Sequence, residues 1–143
     1  MKNTLHFQLL AAHTLFQKNF LKRIKKIYPD LSPGQPKVID YLVYHGSACQ
    51  REIAKECLLE PPTLTLILEK METGDLVTRE KRPDNRKNSI VSLTEKGREI
   101  GQTLQRVFAE LEDDFCRDLG EEDRTDLSRL LKTVACCGRE LLS

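Results

Sequence analysis

Residues 61–97 read PPTLTLILEKMETGDLVTREKRPDNRKNSIVSLTEKG, and the fold turns on how this stretch is built. Two prolines open it, and proline suits only the first turn of a helix. Leu64, Ile67, Leu68 and Met71 then recur three and four positions apart, the spacing of one apolar helix face. Thr73-Gly74-Asp75 stops that helix, which the pattern predicts over 62–72. Leu76 to Arg79 and Ser89 to Leu93 are rich in β-branched residues. They flank a polar loop, Pro83 to Asn88, whose Asp84-Asn85 pair suits a tight turn. The stretch is predicted to form a helix followed by a hairpin with a basic tip.

On the N-terminal side, Arg51 to Cys57 forms two turns of helix at most, reached through the short stretch Ser47-Ala48-Cys49. Before that, Ser32-Pro33-Gly34-Gln35 matches a capping box with a proline at the first helical position, with Leu31 as a hydrophobic staple. The helix it starts runs through Val38, Ile39, Leu42 and Val43 to His45-Gly46. A long helix precedes it, with Leu5, Leu9, Ala12, Phe16, Phe20, Ile24 and Ile27 on one line. On the C-terminal side Thr94 caps a long helix carrying Ile100, Leu104, Val107, Phe108, Leu111 and Phe115. After Gly120 a last helix carries Leu127, Leu130, Leu131, Val134 and Leu141.

Two short helices and a basic hairpin in that order solve a geometric problem. The first helix braces the second, whose N-terminal half can enter a major groove about 12 Å wide. Unpaired N–H groups at that end favour a phosphate. Thr63 and Thr65 are the polar residues nearest that end and can meet base edges or a thymine methyl; filling the first turn is their other reading. Arg86 at the hairpin tip would reach a neighbouring minor groove, with Lys81, Arg82 and Lys87 on the flanking backbone.

Composition narrows the classes. The 143 residues carry a net charge of +1 with 31% charged and 39% hydrophobic residues, a foldable composition rather than a disordered one. Charge is local: five basic residues against two acidic ones lie between Arg79 and Lys87, and nine acids against two arginines between Glu110 and Asp126. No apolar run approaches the roughly 18–20 residues that cross a bilayer, and the start has no signal-peptide pattern. A cytoplasmic protein is expected. Five cysteines without a CxxC spacing argue against a disulfide framework. His6 and His13 lie too far apart to share an ion, and scattered histidines with no glycine-rich phosphate loop offer no enzyme site. No metal, cofactor or catalytic residue is expected.

Met71 to Arg79, then Arg82 to Lys87, then Ile90 to Gly97 resemble the MarR (multiple antibiotic resistance regulator) family of winged helix-turn-helix repressors. The resemblance rests on an L-x-x-x-G-[LY]-[VI]-x-R segment, a D-x-R wing and a closing L-T-x-x-G, and it extends over essentially the whole chain. It implies a mainly α fold with a small β-wing, residues 32–97 forming the DNA-binding domain and 1–31 with 98–143 forming a helical dimerisation domain. It places Pro62, Thr63 and Thr65 in the recognition helix and matches Arg79 to the strand arginine before the wing. Asp84 and Arg86 match the wing pair, the acid orienting the guanidinium. Asn85 replaces the usual wing glycine, and Leu66 stands where members often carry a basic or polar residue that reads or grips DNA.

The apolar lines of 5–27, 98–116 and 125–142 exceed what so small a middle can cover. At about 25 cal/mol per Å² of apolar surface, pairing with a second copy is expected. A two-fold axis sets two recognition helices roughly 34 Å apart, one turn of B-DNA, for a pseudo-palindromic operator. The resemblance also implies release by a small aromatic or anionic ligand, for which His13, Phe16, Tyr41, Tyr44 and His45 are candidates, although each is equally a core or interface residue. Two other readings stay open: a thiol-responsive regulator, with Cys136 and Cys137 pairing across the dimer, and a winged-helix module that binds a protein partner and no DNA.

Overall fold

The computed structural model describes residues 2–82 and 85–143, and of Arg82, Asn85, Arg86 and Lys87 the backbone only. Six helices and a small sheet follow in the order α1 (Leu5–Ile27), α2 (Gln35–His45), β1 (Ala48–Cys49), α3 (Gln50–Glu56), α4 (Pro61–Thr73), β2 (Val77–Arg82), β3 (Asn85–Leu93), α5 (Glu95–Phe115) and α6 (Glu121–Leu142). The chain is mainly helical with a three-stranded antiparallel sheet, the architecture expected. Two compact units divide it, residues 1–109 and 110–143. Among the described residues, no helix is long and apolar enough to cross a membrane.

In the first unit the sheet order is β1-β3-β2. Ala48 pairs with Val91, and Val77 with Leu93, both antiparallel. Val91 on the central strand is fully buried with Val38, Ile39, Ile53, Leu64, Leu68 and Met71. The core is therefore the contact of α2, α3 and α4 with one face of the sheet, built from the apolar positions that recur at helical spacing.

Two local expectations need correction. First, α2 starts two residues after the position a Ser32 cap requires. Gly34 is its N-cap, no side chain caps it, and Pro36 lies in its first turn. Ser32 to Gln35 form a turn instead, with the Gln35 N–H donating to the Ser32 carbonyl at 3.0 Å. The reason is Pro36: had the helix begun at Pro33, the missing N–H of Pro36 would break its first intrahelical bond. Second, β2 and β3 run past the predicted strands to Arg82 and back to Asn85, which is paired with Arg82. Arg86, Lys87 and Asn88 belong to a strand rather than to a loop. On α1, Phe20 and Ile24 are buried, whereas Leu5, Leu9 and Ile27 are exposed, in keeping with a line longer than the middle of the chain can cover.

The turn between α3 and α4 closes with Leu58 in the left-handed region, φ 56°. The Leu58 N–H donates to the Lys55 carbonyl and the Leu59 N–H to the Ala54 carbonyl, a Schellman motif with leucine in the place glycine usually takes. Leucine there strains the backbone, and 71% of this side chain is exposed, so it gives little to the core in return. Leu58→Gly is expected to stabilise the protein by about 0.5–1 kcal/mol, read as a higher urea midpoint at unchanged m.

The start of α5 is fixed from three sides. The Thr94 hydroxyl donates to the Asp75 carbonyl at 2.6 Å and accepts from the Gly97 N–H at 3.0 Å, so Thr94 caps the helix as expected. Its own N–H donates to the Leu76 carbonyl. That carbonyl oxygen occupies the space a Cβ on Gly97 would need. The second unit holds the end of α5 and all of α6, which buries none of its residues. Arg124 donates to Asp113 at 2.7 Å across the turn between them.

Candidate nucleic-acid interface

Leu64, Leu68 and Met71 turn inward, which sets the opposite side of α4 toward solvent: Pro62, Thr63, Leu66, Glu69 and Lys70 are all exposed. Pro61 and Pro62 both lack an N–H, so the start of this helix offers a phosphate fewer donors than an ordinary N-terminus does. The anion-attracting role expected of that end is correspondingly reduced.

Thr65 is half-buried and its hydroxyl is engaged twice. It donates to the Pro61 carbonyl at 3.0 Å and accepts from Gln50 Nε2 at 2.9 Å. Gln50 is the first residue of α3, so this bond joins the two helices of the helix-turn-helix. Thr63, by contrast, is exposed on the outer side. Arg79, on β2, pairs with Glu72 near the end of α4 through both Nε and Nη2. This pair fastens the hairpin to α4. Lys81 is exposed on the same strand. The side chains of Arg82, Arg86 and Lys87, and all of Asp84, lie outside the described residues.

A cleft of about 590 Å³ opens between α3 and α4, with Pro61, Pro62 and Leu59 against Gln50, Arg51 and Lys55. Arg51 and Lys55 are exposed one turn apart on α3. Neither figured among the expected DNA contacts. The signal available for them was their i, i+4 spacing on a helix that flanks the recognition helix.

The residues suggested for a small ligand are brought together in part. Tyr41 and His45 stack with ring centroids 4.2 Å apart. Both, with Tyr44, line a cavity of about 390 Å³ that Lys37, Asp40, Glu56, Cys57 and Phe108 complete. Phe16 is stacked parallel to Phe108 at 6.4 Å, and His13 is exposed one turn before it on α1. From the sequence, Phe108 belongs only to the apolar line of the helix that follows Thr94. Burial raises the Tyr41 phenol above its ordinary value, and the nearby Glu52 and Glu56 act in the same direction.

Cys57 bears on thiol chemistry here. Its thiol donates to the Lys37 carbonyl at 3.7 Å, and burial pushes its pKa from 9.0 up to about 11. The folded chain keeps a proton that the unfolded chain releases near pH 9. The resulting stability is complete below pH 9 and is lost as pH rises through about 11. Denaturation at several pH values is expected to show this alkaline decline, and Cys57→Ala is expected to flatten it.

Comparison with known proteins gives the same architecture. A sequence model of the MarR family matches residues 31–89. The HTH-type transcriptional regulator MhqR of Bacillus subtilis (strain 168) is 30% identical over 108 residues, spanning 73% of this chain and 72% of that protein. The HTH-type transcriptional regulator SarZ of Staphylococcus haemolyticus is 29% identical over 134 residues, 94% of this chain and 88% of its own length. Among solved structures, the transcriptional repressor CouR bound to a 23-mer DNA duplex superposes with a TM-score of 0.81 at 27% identity, covering 94% of each chain.

Proposed function

This chain belongs to the MarR family of winged helix-turn-helix, DNA-binding transcriptional regulators, and we propose that it acts as a homodimeric repressor of a pseudo-palindromic operator. In each copy α4 enters a major groove through Pro62, Thr63 and the neighbourhood of Thr65. Lys81, Arg82 and Lys87 line the DNA backbone beside it, Arg79 holds the hairpin in place through Glu72, and Asp84 orients Arg86 into the adjacent minor groove. Residues 32–97 form the reading domain. The flanking segments 1–31 and 98–143 join the two copies.

The observation that carries this reading is the pairing of an outward-facing α4 with a hairpin fastened to it through Glu72 and Arg79. The likeness to a repressor bound to a DNA duplex supports it. Pairing is supported by apolar side chains left in solvent: Leu127, Leu130, Leu131 and Val134 on α6, with Leu5, Leu9, Leu10 and Leu15 on α1. Release follows when a small aromatic ligand enters the cavity beside the stacked Tyr41 and His45, where Asp40 and Glu56 accompany Lys37, and shifts the spacing of the two reading heads. A screen of such compounds in which none alters operator affinity removes that step.

Replacing the wing arginine tests the DNA contact. Arg86→Ala is expected to weaken operator binding by about 1–3 kcal/mol if the guanidinium makes a groove contact. Unchanged affinity takes the wing out of the mechanism.

A further inference from the structure

We propose that Leu66 is the specificity residue of α4 and that it reads the C5-methyl group of thymine, so that each half-site presents a thymine at that place in the major groove. This rests on the reading of α4 as the helix that enters the groove.

Leu66 stands on the outer side of α4. Its side chain is 62% exposed, while Leu64, Leu68 and Met71 on the opposite side are completely buried. Pro62, Leu66 and Glu69 follow one another along the outer line of the helix, and Thr63 lies beside them. Leu66 is thus at the middle of the reading face and takes no part in the core.

Its surroundings on α4 are largely apolar. The Thr65 hydroxyl is committed to Pro61 and Gln50, and the two opening prolines have no N–H to donate. Apart from Thr63, the first two turns of α4 present to a groove two pyrrolidine rings and an isobutyl group. Such a surface has little to exchange with the donors and acceptors of guanine, adenine or cytosine. Pressing leucine against those polar edges would strip their water without replacing it. Thymine alone carries an apolar group on its major-groove edge, so an apolar reader favours that base and disfavours the rest.

Affinity for DNA has a separate source. Leu66 adds no charge, and Glu69 one turn on is acidic, so attraction to phosphate has to come from elsewhere, such as the exposed Arg51, Lys55 and Lys81. Specificity and affinity then reside in different residues and can be separated by experiment.

The full chain is used to enrich duplexes from a random double-stranded pool at low salt. The enriched duplex is then synthesised with thymine or with uracil in every thymine position, the two differing only in methyl groups. The natural chain is expected to bind the uracil duplex about fifteen-fold more weakly, from about fourfold per buried methyl in each of two half-sites. Leu66→Ala, a change at an exposed position, is expected to bind both duplexes within about twofold of each other. Equal binding of the two duplexes by the natural chain overturns the proposal. So does a Leu66→Ala variant that separates them as widely as the natural chain. Failure to enrich any duplex instead overturns the DNA reading beneath it, which keeps the two failures distinguishable.

Discussion

Gly97→Val is expected to lower stability by about 3–5 kcal/mol, a large part of the 5–15 kcal/mol that holds an ordinary domain together. A Cβ at this position overlaps the Leu76 carbonyl oxygen and comes within 3.0 Å of Leu93 Cδ2. The backbone atom cannot give way cheaply, because the same oxygen accepts the Thr94 N–H. Nor can α5 withdraw: its Gly97 N–H is held by the Thr94 hydroxyl, which is itself bonded to Asp75. Relief of the overlap breaks two or three hydrogen bonds of about 1 kcal/mol each, on top of an overpacking cost of about 1–3 kcal/mol. Urea denaturation followed by circular dichroism measures the loss. Gly97→Ala sharpens the test, since alanine in an unobstructed helix stabilises by about 1 kcal/mol over glycine. A stabilised alanine variant would show that nothing presses on this position.

The second large effect is expected from α6. Every residue of this helix lies outside the core of its own chain, yet Leu127, Leu130, Leu131 and Val134 form an apolar line along it. If a second copy covers that line, charges placed there are desolvated in the dimer and cost little in the isolated chain. Leu127→Glu combined with Leu131→Glu is expected to leave helix content unchanged and to shift the species in solution from two chains to one, seen by light scattering. Operator affinity is expected to fall by at least about 100-fold, because a monomer loses the millimolar effective concentration that links two half-sites. A variant that stays dimeric, or a monomer that binds as tightly as before, contradicts the dimer as described.

The middle of the chain was legible because its signals are local and physical. Helical spacing of Leu64, Leu68 and Met71 fixed the inner side of α4, and Thr94 announced the start of α5. The L-T-x-x-G ending, first a matter of resemblance, has a structural cause: threonine caps the helix and glycine admits the Leu76 carbonyl. Misreadings arose where two local signals competed or where the deciding partner was distant. Ser-Pro-Gly-Gln satisfies a capping pattern, but Pro36 just beyond it sets where α2 can begin. The charged residues of the hairpin carry no apolar alternation, so nothing in them revealed that the ladder continues to Arg82 and Asn85.

The first helix is apolar on more than one side. Along its main line, periodicity fixes the face but not how far the core reaches: Phe20 and Ile24 are covered, whereas Leu5 and Leu9, about three turns nearer the start, are exposed. In the candidate interface, Thr65 looked free because Gln50, fifteen residues away, approaches it only after α3 and α4 are folded together. Phe108 joins the Tyr41–His45 cavity for the same reason: α5 passes beside α2 only in the folded chain.

Equilibrium binding of the full chain to a fluorescent random-duplex pool, titrated with salt, tests the central claim most directly. Recognition through an outward α4 and a basic wing requires phosphate neutralisation, so binding should appear at low salt and weaken about 10³-fold or more between 50 and 200 mM. No binding at 50 mM, or binding that is indifferent to salt, would mean that this face of the molecule does not meet DNA.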